Sequence, residues 1–156
     1  MEVFHTHMAN ALKYYKTADH LAYITYPVVD EKKLLIVIIQ NLHKAIHNAV
    51  EGLLHYHAHY KEISYVPRDF ESQLSLLKGT LLRRYKFDPS LIDIFKEIND
   101  VILHHQSSSI EFIRKDAFIM ASENFHLKKI TIEKVKSYIT SVKPFITRIN
   151  GVLLQP

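Results

Sequence analysis

The chain has 156 residues, of which 47% are hydrophobic and 23% charged, and its formal net charge is +4. Such a composition is globular and excludes both a disordered chain and a membrane-embedded one, while the charge is milder than the concentrated positive field of most nucleic-acid modules. Cysteine is absent, which removes disulfides, zinc–thiolate sites and cysteine nucleophiles and fits a reducing cytoplasm.

Three glycines and five prolines disfavour a turn-rich all-β fold and suit long helices. The length suits one helical domain over residues 1–156. The first residues, MEVFHTHMAN, have no basic region followed by a long apolar run, so no secretory leader is expected. The most apolar segment, Leu34 to Ile39, is far short of the ~20 residues of a membrane-spanning helix. The expectation is a cytoplasmic protein that does not enter a membrane.

Phe4, Met8, Ala11, Leu12, Tyr15, Ala18 and Ala22 keep helical spacing and predict a first helix from Val3 to Tyr26, ended by Pro27. A short link then leads to a central helix over residues 30–60, with Asp30 as its cap. Leu35, Ile38, Ile39, Leu42, Ala45, Ile46, Ala49, Leu53 and Tyr56 fall in a stripe about 100° wide, the mark of a helix with its apolar face in a core. The brevity of the link makes these two helices an antiparallel pair.

Pro67 breaks the loop that follows, and Asp69 caps a third helix, Phe70 to Tyr85. Asp88-Pro89 starts a fourth, which ends near His105. After Ser107-Ser108-Ser109 the helical period is lost. Ile110–Ile113 and Ala117–Ala121, separated by Arg114-Lys115-Asp116, predict a β-hairpin within residues 110–122, which needs a surface to lie against. Thr131 caps a last helix, in which Pro144 should produce a kink. The predicted architecture is all-α in the main, a bundle of about five helices with a small β-hairpin insertion.

On the polar side of the central helix His43, His47, Glu51, His55 and His59 recur every four residues. Histidines at i and i+4 can share a metal ion, and His43 with His47 is the candidate pair, with Asp19, His20, His104 or His105 as further ligands. The drift of about 40° per step keeps His43 and His59 out of one coordination sphere. A metal-dependent enzyme is therefore one alternative, but the stripe reads more simply as the rim and solvent face of a long helix, with no cofactor.

Arg83, Arg84 and Lys86, around Tyr85, suit phosphate contacts and base stacking, which makes nucleic acid or a nucleotide a second alternative partner. Solvated charges at a helix C-terminus explain them equally well. Tyr56 and Tyr60, in HYHAHY, form an aromatic helix end suited to an interface. No phosphate-cradling loop or nucleophile elbow is present.

The stretch QNLHKAIHNAVEGLLHY, Gln40 to Tyr56, with Ala45, Ala49, Glu51, Leu53 and Leu54, resembles the second helix of the HEPN family. The likeness covers the first helix pair and implies a small all-α fold that tends to dimerise. Active HEPN nucleases carry an arginine followed five positions later by histidine. Here the residues five after Arg68, Arg83, Arg84, Arg114 and Arg148 are Gln73, Asp88, Pro89, Ile119 and Leu153, so the likeness carries no RNase activity with it. The leading expectation is a non-catalytic, homodimeric interaction protein, with a protein or RNA as a further partner.

Overall fold

A computed structural model describes residues 3–124 and 126–154. Its five helices enclose a core to which a three-stranded sheet is added. Helix α1 spans Val3–His20 and continues through a π-helical stretch, Leu21–Thr25, into a final turn, Tyr26–Val29. Pro27 therefore lies inside the helix rather than ending it. A proline lacks the N–H of the ladder and its ring crowds the carbonyl four residues back, and the widened π turn just before it gives that ring room. The chain turns instead at Asp30, whose left-handed backbone (φ 49°) closes the helix with a hydrogen bond from its N–H to the Tyr26 carbonyl, 2.9 Å. Aspartate tolerates that conformation better than most residues. Asp30 thus ends α1 and does not cap the central helix, which begins four residues later.

That central helix, α2, spans Leu34–His59. Its predicted stripe from Leu35 to Leu53 is fully buried, and so are Ile36, Val50 and Leu54 outside it. The helix is therefore covered on more than one side. Helices α1 and α2 share the longest contact in the molecule, and α5, Ile132–Leu153, packs against both. Helix α3 runs Phe70–Leu76, then through a π-helical stretch, Leu77–Leu81, to a last turn, Leu82–Arg84. Asp69 caps it as expected, its carboxylate accepting from the Ser72 N–H at 2.9 Å. Helix α4, Ser90–Ser107, packs on α2 and α5. Thr131 caps α5 by accepting from the Lys134 N–H, and the helix passes Pro144 without interruption.

Strands β1, Ile110–Arg114, and β2, Ala117–Ala121, form the expected hairpin around a turn with Lys115 at φ 56°. A third strand, β3, Leu127–Ile130, pairs antiparallel with the other side of β2. Phe118, Met120 and Ile130 join the sheet to the core. His104, near the end of α4, lies 3.2 Å from the Met120 carbonyl oxygen through its Nε2. Among the described residues, no helix is long and apolar enough to cross a membrane.

Candidate functional site

The polar stripe of α2 runs along a half-buried rim and reaches solvent at the exposed His59. His43, His47, Glu51 and His55 are all half-buried, because α3 and α4 lean over the first three and α1 over the last. His43 Nε2 sits 2.8 Å from the Asn99 side-chain oxygen on α4. The His47 ring stacks on Phe70 of α3, with centroids 3.9 Å apart, and the two histidine rings are 4.2 Å apart. Burial pushes both imidazoles below their ordinary range, and His47 falls to about 4, with the neighbouring His43 adding to the effect. This pair is therefore a neutral, packed seam. Asp19 and His20 are exposed on α1 and do not join it.

The donors that converge lie further along the helix. His7 of α1 and Glu51 and His55 of α2 each present a ligand atom within 4.8 Å of the other two. His55 Nε2 is 3.1 Å from Glu51 Oε2, and the His7 and His55 rings lie nearly parallel, 9° apart. Gln73 of α3, only 1% exposed, donates to Glu51 Oε1 at 2.6 Å and to the Pro67 carbonyl at 2.8 Å. The Asn48 amide donates to the Lys44 carbonyl and turns its oxygen to His7 Nδ1, 3.2 Å away. That fixes the His7 proton on Nδ1 and leaves the Nε2 lone pair free, the tautomer in which a second-shell acceptor holds a ligating imidazole.

Sequence reasoning missed His7, yet the signal for it was present. In an antiparallel pair, residues equidistant from the turn lie at one level. His7 and His55 are each 24 positions from Glu31.

Tyr56 is half-buried, its ring edge-on to Phe4 at 5.3 Å, so it belongs to the contact between α1 and α2. Tyr60 is exposed and leans on Tyr56. Arg84 is ion-paired with Glu62 and holds that carboxyl below its usual range. Glu62 also faces Nδ1 of the fully buried His57 at 3.4 Å, and the Tyr85 hydroxyl lies 2.6 Å from His57 Nε2. Arg83 and Lys86 remain exposed. They sit just ahead of α4, whereas Arg114, Lys115, Lys128 and Lys129 lie on the sheet that follows its other end, about 27 Å along the helix axis. The basic groups therefore form no single face.

The three depressed histidines set a pH dependence of stability. Burial holds His43, His47 and His57 neutral in the folded chain. Above pH ~6.5 both folded and unfolded forms are neutral and nothing is lost. Below it the unfolded chain takes up protons that the folded chain resists, so stability falls until the folded value, about 4 for His47, is passed. Discounted for the partial exposure of His47, its share is about 1–2 kcal/mol. Urea midpoints at pH 7.5, 6 and 5 should decline in that order; equal midpoints would refute the assignment.

Comparison with protein-family models, with curated proteins and with solved structures gives no match for this chain.

Proposed function

We propose that the protein is a non-catalytic helical interaction module that works as a homodimer, assembled through the outer edge of β1. The observation that carries this reading is the exposure of that strand. All five of its residues are exposed, with Ile110 at 62%, Phe112 at 39% and Ile113 at 46%. The sheet order β1-β2-β3 leaves one side of β1 without a strand partner among the described residues. The opposite edge, β3, carries Lys128 and Lys129, the kind of charge that discourages further pairing. β1 carries one acidic and one basic residue, Glu111 and Arg114, rather than a run of like charge. Beside it Val37, Ile36 and Gln40 of α2 line a groove with Phe112, Ile113 and Phe118.

A second copy of the same strand is a suitable occupant, because an antiparallel pair of identical strands is self-complementary. Pairing centred on Ile113 sets Phe112 opposite Arg114 of the other copy, a cation–ring contact. The likeness of Gln40 to Tyr56 to the HEPN second helix also favours a dimer. The split of basic groups between the two ends of α4, with Arg84 engaged by Glu62, gives nucleic acid no comparable surface.

Light scattering at tens of micromolar should return twice the chain mass. A Phe112→Lys and Ile113→Lys double variant should return the monomer mass with its helical circular dichroism retained. A monomeric parent, or a variant that stays dimeric, refutes the reading. A Tyr60→Ala variant separates this edge from the aromatic end of α2, and should stay dimeric.

A further inference from the structure

We propose that His7, Glu51 and His55 bind a divalent first-row transition ion of the Zn²⁺ type, which ties α1 to α2. The set is two imidazoles and one carboxylate, contributed by two helices that meet far from each other in sequence. Imidazole nitrogen suits zinc and its neighbours, and disfavours the hard, oxygen-seeking Mg²⁺ and Ca²⁺. Ligand bonds of about 2.0–2.2 Å place tetrahedral donors about 3.5 Å apart. The three atoms already lie within 4.8 Å of one another.

The surroundings favour a metal over a simple polar contact. Each flanking ligand is oriented from outside the trio. Buried Gln73 takes one oxygen of Glu51 and leaves Oε2 aimed at His55. Asn48 fixes the His7 proton on Nδ1, away from the shared space. Gly52 lets the helices close: an added Cβ there would lie 3.2 Å from the His7 Cβ and 3.3 Å from the Phe4 carbonyl oxygen. Three protein donors leave one tetrahedral position for water or a fourth donor. His43 and His47 take no part, since Asn99 and Phe70 hold them apart from this trio.

Co²⁺ added to untagged, chelator-treated protein tests the site, since its visible ligand-field bands report coordination directly. One Co²⁺ per chain should bind, be displaced by Zn²⁺, and raise the melting temperature. His7→Ala and His55→Ala should each abolish the bands while circular dichroism stays helical. Gln73→Leu should weaken binding about tenfold, the usual effect of removing an outer-sphere partner. The His43→Ala and His47→Ala double variant should bind as the parent does. Absence of bands from folded parent protein overturns the proposal, and so does binding that survives His55→Ala or is lost in the His43/His47 variant.

Discussion

Replacing Phe145 by alanine is expected to remove about 3–5 kcal/mol of stability, most of what a domain with a total of about 5–15 kcal/mol can lose and still fold. Phe145 is fully buried on α5, edge-on to Phe95 of α4 at 4.9 Å and 5.2 Å from Phe87, the residue that enters from the loop between α3 and α4. Its ring is where two helices and a connection meet. Pro144 lies just ahead of it within the helix, and its fixed backbone limits how far α5 can sink into a void. The transfer loss of the ring and the residual cavity should therefore add rather than relax away. Thermal melting should fall by about 10 °C or more. A fall below about 1 kcal/mol in urea titration would mean that this aromatic cluster is not a keystone of the core.

The helices were legible because their signals are local. The apolar stripe from Leu35 to Leu53, the Asp69 and Thr131 caps and the start at Asp88-Pro89 depend only on near neighbours in sequence, and all appear in the structure. The β-branched segments at 110–121 likewise announced a hairpin. Strand β3 was not legible. Leu127–Ile130 is four residues long with two lysines, too short and polar to show a pattern, and exists because β2 offers it an edge. Pro27 misled for a related reason: the rule that proline ends a helix holds for ideal geometry, and a π turn evades it. The site divides the same way. The histidines of α2 are visible as a stripe, but which of them converge is decided by residues on other elements. Phe70, Gln73 and Asn99 cover the stripe, and His7 completes a trio at its far end. Phe70, Gln73 and Asn99 have no spacing relation to α2 along the chain. Only the antiparallel level of His7 and His55 could have been computed beforehand.

Gly52→Val is expected to destabilise the chain by about 1–3 kcal/mol, although valine is the better helix former. Glycine in a helix interior normally costs about 1 kcal/mol relative to alanine, so its presence in the middle of α2 needs a steric reason. The reason is the crossing of three helices. A Cβ at this position would meet the His7 Cβ at 3.2 Å, the Leu153 Cδ1 at 3.2 Å and the Phe4 carbonyl oxygen at 3.3 Å. The leucine methyl can rotate aside. The other two are fixed to the backbone of α1, so a branched side chain must push α1 away from α2. Gly79 provides the internal contrast, since nothing lies within 4 Å of an added Cβ there. Gly79→Ala should therefore be neutral or stabilising in the same titration. The displacement predicted at Gly52 also carries His7 away from Glu51 and His55, so Co²⁺ binding should weaken in Gly52→Val and stay unchanged in Gly79→Ala. A valine variant as stable as the parent would show that α1 and α2 do not need this close approach.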